Sequence, residues 1–153
     1  MLRDKFQEQL KQGLHARDEV TVATLRLIIA AMKDRDIAAR SKGNWDGIKD
    51  DEILSMMASM IKQRQESIKM FEAGKRQDLA DREAAEIRVI EGFLPRQLSE
   101  TEVKAAIDQS IKAVGAAGLK DMGKVMAEMK AKYAGQLDFS KASGWVKDRL
   151  AAG

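Results

Sequence analysis

The chain has 153 residues, of which 44% are hydrophobic and 33% charged, and its 27 basic and 24 acidic side chains give a formal net charge of +3. This length suits one domain or two small ones, and so high a charge content argues against insertion into a membrane. There is no cysteine, which excludes disulfides, thiolate nucleophiles and cysteine-based metal sites. The opening residues, Met1–Phe6, carry charges where a secretory signal needs an apolar run, and we therefore expect a cytosolic protein.

The N-terminal part of the chain has apolar residues every three or four positions, which predicts four helices and no strand. The first helix is short and stops at Gly13, and the second spans about residues 18–40. Its apolar face consists of Val22, Leu25, Ile29 and Met32. A glycine-containing loop over 41–47 leads to a third helix over about 50–74, and a fourth runs from about residue 78 to Gly92.

The sharpest boundary of the chain lies near residues 95–99. Pro95 disfavours helix in the residue before it, and Ser99 with Glu102 forms a capping box that starts a new helix. Three helices follow, over about 99–114, 121–132 and 140–150. The sequence thus predicts an all-α protein, with a four-helix N-terminal domain over residues 1–95 and a small three-helix C-terminal domain over residues 97–153.

A search for catalytic chemistry finds no candidate centre. His15 is the single histidine and lies among charged residues between two helices, which favours a solvated or helix-terminal role. The acidic run Asp50–Glu52 suits the positive end of a helix dipole better than a metal site. Trp145 is predicted to anchor the C-terminal core. Core filling is the preferred interpretation of four methionines: Met56, Met57, Met60 and Met70. We predict no catalytic residue, metal site or cofactor.

One stretch, Leu119–Lys132, carries a signal for a polyanionic partner. Gly123 stands near the start of a predicted helix, where it exposes backbone amides to an anion. The candidate nucleic-acid-binding residues are Lys120, Gly123, Lys124, Lys130, Lys132 and Lys141. A lysine-rich solvated face is the competing interpretation. Charge is also spread evenly, with nine basic and seven acidic residues in 99–153 against 18 and 17 before them.

Several motifs, in one order along nearly the whole chain, resemble the YqeY (GatB/YqeY) family. They are Leu25–Leu27, Lys62–Ser67, Arg76–Ala80 preceding Glu86, Leu94–Ser99, Asp121–Met126 and Ala134–Asp138. The resemblance implies two helical domains similar to the tail of the B/E subunits of tRNA-dependent amidotransferases. That tail contacts tRNA rather than performing chemistry, and the family's label of carbon–nitrogen ligase activity with glutamine as amido donor derives from this relation.

The resemblance implies a non-catalytic module that binds tRNA or associates with an amidotransferase. The expected partners are tRNA and amidotransferase or aminoacyl-tRNA synthetase subunits, with no membrane involved. An accessory component that acts in amidation only beside a catalytic partner is a further possibility. The alternative hypothesis, which the even distribution of charge favours, is a protein-interaction or regulatory helical protein that never contacts RNA.

Overall fold

The computed structural model of the protein describes residues 1–152, and these form seven α-helices and one 3-10 turn, without a strand. The all-α fold class predicted from the sequence is confirmed. The helices are α1 (Leu2–Ala16), α2 (Glu19–Arg40), α3 (Asp50–Ala73), α4 (Gln77–Glu91), α5 (Glu100–Val114), α6 (Met122–Tyr133) and α7 (Phe139–Ala152). None of these described helices has both the length and the apolar character needed to cross a bilayer. The chain divides into two compact units, residues 1–94 and 95–153.

The junction between α1 and α2 differs from the sequence-based expectation. Gly13 does not stop α1 but lies buried inside it, where an added Cβ would come within 3.1 Å of Val22 Cγ2. The glycine therefore lets the two helices approach closely. The helix ends instead at Arg17, which has a φ of 56°, and the Asp18 amide donates to the Gly13 carbonyl at 2.9 Å. Asp18 then caps α2, because its carboxylate accepts from the Thr21 amide at 3.1 Å.

The core of the N-terminal unit collects side chains from all four of its helices. Phe6, Leu25, Ile53 and Ile90 have no exposed surface, and the ring of Phe6 meets that of Phe93 edge-on at 5.0 Å. A fully buried side chain of this size stabilises a fold by roughly 1.5–3 kcal/mol. The unit is therefore held together mainly by apolar packing.

The methionines of α3 do not all share one role. Met56 and Met57 are buried and Met60 packs against the core, as predicted. The prediction is wrong for Met70, which is 75% exposed. Met70 is thirteen positions after Met57, which corresponds to three full helical turns plus about 220°. Its side chain therefore points away from the core.

A partly buried ion pair fixes the end of α2 and the loop that follows. Arg3 donates to both carboxylate oxygens of Asp36, at 2.7 and 2.8 Å, and to the Ile48 carbonyl at 2.8 Å. Asp36 in turn accepts from the Ile48 amide at 2.8 Å. Gly47 has a φ of 91°, and an added Cβ there would lie 2.7 Å from Arg3 Nη2. The loop can close over this pair only because position 47 is glycine.

The C-terminal unit begins with the capping box that the sequence predicts. Ser99 Oγ accepts from the Glu102 amide, and Glu102 accepts from the Ser99 amide. Arg96 donates twice to the same carboxylate, at 2.6 and 2.9 Å, and lowers the pKa of Glu102 to about 2.

The core of this second unit comes from α5, α6 and α7, through Ile107, Val125, Met129 and Val146. Trp145 packs against the core at its edge, with the Lys104 ammonium 5.4 Å from its ring centroid. The packing of α6 against α5 and α7 in this core thus determines which side chains of α6 point to solvent.

The Arg3–Asp36 pair gives a pH-dependent prediction. The Arg3 hydrogen bonds and the Ile48 amide lower the pKa of Asp36 from 3.8 to about 2. Its stabilising effect is therefore complete above about pH 4 and is lost as the pH falls through about 2. We expect Asp36→Asn to lower the free energy of unfolding by about 1–3 kcal/mol near neutral pH, with a smaller difference from wild type near pH 2. Urea denaturation at both pH values measures this.

A matched control for Asp36→Asn is Asp34→Asn, which removes the same charge at an exposed position of α2. We expect it to change the free energy of unfolding by less than about 0.5 kcal/mol. Equal effects of the two substitutions, or an Asp36→Asn deficit that is undiminished near pH 2, would contradict the role given to this pair.

Thr24 supplies a second stability prediction. Its side chain is fully buried, and its hydroxyl has no hydrogen-bond partner among the described residues. Because an unsatisfied buried polar group costs about 1–3 kcal/mol, Thr24→Val should raise the free energy of unfolding by about 1 kcal/mol while keeping the shape of the side chain. The same change at Thr101, which is exposed, is the control. A destabilised Thr24→Val protein in a urea titration would show that the hydroxyl is satisfied.

Candidate nucleic-acid interface

The start of α6 is built on a short 3-10 turn, Leu119–Asp121. Asp121 closes this turn, because its Oδ2 atom accepts from the Ala117 amide at 2.9 Å and its own amide donates to the Gly118 carbonyl at 3.0 Å. The Ala117 amide is the main cause of the lowered pKa of Asp121, and Lys124, the Gly118 amide and Lys120 lower it further. The carboxylate is therefore charged at neutral pH and lies between two of the candidate lysines.

Gly123 lies in the first turn of α6 and is exposed, with open space where a Cβ would stand. No side chain caps the amides of this turn, and the Met122 amide donates to the Leu119 carbonyl of the preceding 3-10 turn. The Asp121 carboxylate opposes an incoming anion here, whereas Lys120 and Lys124 attract it. The local balance of one negative and two positive charges leaves a weakly positive helix end.

The five candidate lysines are all exposed, and they fall into two groups. Lys124 Nζ lies 4.0 Å from Asp121 Oδ1, and Lys132 Nζ lies 2.8 Å from Glu128 Oε1, a hydrogen bond that raises the pKa of Lys132. Within the described residues the other three lysines have no carboxylate partner closer than 4.0 Å. These unpaired lysines are Lys120, Lys130 and Lys141.

The candidate residues do not form one continuous face. At about 100° per residue, Lys130 and Lys132 point about 160° apart around α6, and with Lys124 they cover an arc of about 200°. The structure places Lys120, Gly123 and Lys124 close in sequence at the helix start and sets Lys130 and Lys132 on opposite flanks. Lys141 is in the first turn of α7. A single strand of RNA could contact one flank with the helix start, but not both flanks at once.

The N-terminal unit has two exposed features, of which the sequence-based prediction left the first open and did not include the second. Trp45 is 75% exposed in the loop before α3, with the Arg40 guanidinium carbon 5.6 Å from its ring centroid. The second feature is the outward side of α2, where Leu27 and Ile37 are 49% and 59% exposed. The spacing of these apolar residues along the sequence could have indicated the outward side of α2, but only its core-facing side was predicted.

His15 is exposed in the last turn of α1, in agreement with a helix-terminal role.

Glu86 connects two of the motifs that carry the family resemblance. Arg64 Nε donates to Glu86 Oε2 at 3.0 Å and lies 3.9 Å from Glu83, and its Nη1 atom donates to the Met60 carbonyl. These side chains are mostly buried and tie α3 to α4, so we assign them a structural role. Among residues 1–152, no three acidic or histidine side chains converge in a way that could hold a metal ion.

Comparison with known proteins identifies relatives along most of the chain. The family model described as Yqey-like protein matches residues 3–150. Altered inheritance of mitochondria protein 41, mitochondrial, from Saccharomyces cerevisiae is 30% identical over 103 residues, which is 67% of this chain and 52% of the relative. The protein of the same name from Candida glabrata is 31% identical over 108 residues, which is 71% of this chain and 56% of the relative. The matches thus span about half the length of these curated relatives.

The relatives' names place them in mitochondria, which contradicts the cytosolic location predicted from the sequence. The prediction was wrong because it rested on the lack of a secretory signal, and that lack does not distinguish the cytosol from mitochondria. The family match over residues 3–150 agrees with the order of motifs along the sequence. The chain belongs to the Yqey-like protein family.

Proposed function

We propose that this protein is a non-catalytic helical binding module whose C-terminal unit contacts the phosphate backbone of tRNA. The observation that carries the proposal is the set of unpaired, exposed lysines at the start and on one flank of α6, beside a helix start that no side chain caps. Ammonium groups without a carboxylate partner gain the most from a phosphate oxygen, because no existing ion pair has to be broken.

The family resemblance supports the choice of tRNA, since the related tail of amidotransferase subunits contacts tRNA. It equally supports amidotransferase or aminoacyl-tRNA synthetase subunits as protein partners. Carbon–nitrogen ligation would then belong to the partner. Release of ammonia from glutamine needs an activated nucleophile, and this sequence has no cysteine and one histidine.

A second candidate function is a protein-interaction module that does not contact RNA. The observation favouring it is the wide arc of the α6 lysines together with the carboxylate partners of Lys124 and Lys132. Lysines that are spread over about half of the circumference of a helix and pair with carboxylates of the same helix are also typical of a solvated surface.

Salt dependence of tRNA binding separates the two candidates. Each neutralised phosphate steepens a log–log plot of affinity against salt by roughly 0.7–0.9. Because one RNA strand can reach only one flank of α6, we expect two or three contacts and a slope of about −1.5 to −2.5. Fluorescence anisotropy of labelled tRNA with the full chain, at several salt concentrations, gives this slope.

The variants make the test specific to the unpaired lysines. Lys130→Ala should make the slope shallower by roughly 0.7–0.9, and Lys132→Ala should change it less, because Glu128 already neutralises that ammonium. Lys147→Ala, at an exposed position of α7 outside the candidate site, is the control and should leave the slope unchanged. Absence of saturable binding at low salt, or equal effects of all three substitutions, would favour the protein-interaction module.

A further inference from the structure

The second helix is apolar on two sides, and the four-helix unit covers only one of them. The core-facing side carries Leu25, Ile28 and Met32, which are at most 5% exposed. Apolar residues also recur at intervals of four, three and seven along the outward side. They are Ala23, Leu27, Ala30 and Ile37, and all four are exposed. Such spacing keeps them on one stripe of the helix.

A groove of about 310 Å³ runs beside this stripe, between α1 and α2. Leu10, Ile29 and Ala30 form its apolar floor, and Gln7, Arg26 and Lys33 provide its polar wall. Arg26 belongs to the Leu25–Leu27 motif noted in the sequence, and the fold sends the leucines of that motif to opposite sides of α2, into the core and onto the surface. The stripe and the groove together make a largely apolar strip, which Asp34 interrupts and which has cations along one edge.

One edge of the strip carries two cations. Arg26 and Lys33 lie about 40–60° to one side of Ala30 around the helix, seven residues and therefore about 10.5 Å apart along its axis. Asp34 lies about 40° to the other side, between Ala23 and Leu27, and is therefore within the stripe. Within the described residues, neither Arg26 nor Lys33 has a carboxylate within 4.0 Å. Two exposed cations on one edge thus lack the counter-charges that a partner could supply.

We propose that this strip, defined here as the α2 surface (Ala23, Arg26, Leu27, Ala30, Lys33 and Ile37), binds an amphipathic helix of another protein that carries acidic side chains seven residues apart along one edge. The small side chains of Ala23 and Ala30 let a second helix approach closely, and Leu27 and Ile37 supply apolar contact on either side of them. Carboxylates two helical turns apart match the separation of Arg26 and Lys33.

Charge complementarity argues against a second copy of this chain, or an RNA backbone, as the partner of the α2 surface. In an antiparallel pair of two copies of α2, centred near Ala30 and related by a twofold axis, each edge meets the same edge of its mate, so Arg26 and Lys33 would face cations. A parallel pair offers the single carboxylate of Asp34 for two cations. An RNA backbone could pair with the cations but would gain nothing from Leu27 and Ile37, whereas a helix uses both.

The test uses the full chain and two synthetic helical peptides of about 21 residues, or six turns. Both have leucine along one stripe; one carries glutamate at positions seven apart along one edge of it, and the other carries lysine there. In fluorescence anisotropy we expect the glutamate peptide to bind about tenfold more tightly, because two attractive pairs replace two repulsive ones. The double variant Arg26→Glu with Lys33→Glu should reverse this preference.

Two further variants separate the α2 surface from general effects. Lys69→Glu with Arg88→Glu makes the same change of charge at exposed positions of α3 and α4 and should keep the wild-type preference. Ala30→Gln should weaken both peptides by hindering close approach while leaving the melting temperature nearly unchanged.

Several outcomes would overturn the proposal. They are equal affinity for the two peptides, a preference that survives the Arg26/Lys33 double variant, and peptide binding that tRNA displaces. Concentration-dependent dimerisation in analytical ultracentrifugation that the double variant abolishes would assign the α2 surface to a second copy instead.

Discussion

The N-terminal unit depends on how α2 is fixed at its carboxyl end. Asp36 receives two hydrogen bonds from Arg3 and one from the Ile48 amide, so one carboxylate joins α1, α2 and the approach to α3. A bidentate pair with a backbone contact is among the stronger polar interactions in proteins. It fixes the carboxyl end of α2, and the burial of Leu25, Ile28 and Met32 in the core determines which side of the helix faces inward. A rigid α2 with a pre-formed outer strip loses little entropy when a partner binds.

The C-terminal unit has many exposed lysines, of which some pair with a carboxylate of the same helix and others have no such partner. Intrahelical pairs such as Lys132 with Glu128 are weak at an exposed surface, typically below about 1 kcal/mol, and a phosphate can replace the carboxylate. Lys120 and Lys130 need no such exchange. The even balance of charge in both units means that binding to a polyanion would rest on the position of individual lysines rather than on a general positive field.

Features that depend on neighbouring residues could be read from the sequence. The capping box of Ser99 and Glu102, the acidic start of α3 and the end of α5 near residue 114 each need only a few adjacent positions, and all are present in the structure. The glycine at position 13 was misread as a helix stop, because its role is to admit Val22 from another helix.

The candidate site was less accessible to sequence reasoning for the same physical reason. A cluster of lysines in the sequence does not reveal that Lys130 and Lys132 point in nearly opposite directions once α5 and α7 fix the buried side of α6. The sequence shows that α2 has apolar residues on two sides, but only the packed structure shows which of the two sides is buried in the core. The exposure of the outward residues, like that of Met70, became known only with the fold.

We propose that two separate surfaces of the chain bind two different partners. Hydrogen–deuterium exchange of the full chain, alone, with tRNA and with the glutamate-edged peptide, tests this most directly. We expect tRNA to slow exchange within residues 119–141 and to leave residues 19–40 unchanged, and we expect the peptide to do the reverse. Protection of residues 19–40 by tRNA, or no protection of either segment by its partner, would contradict it.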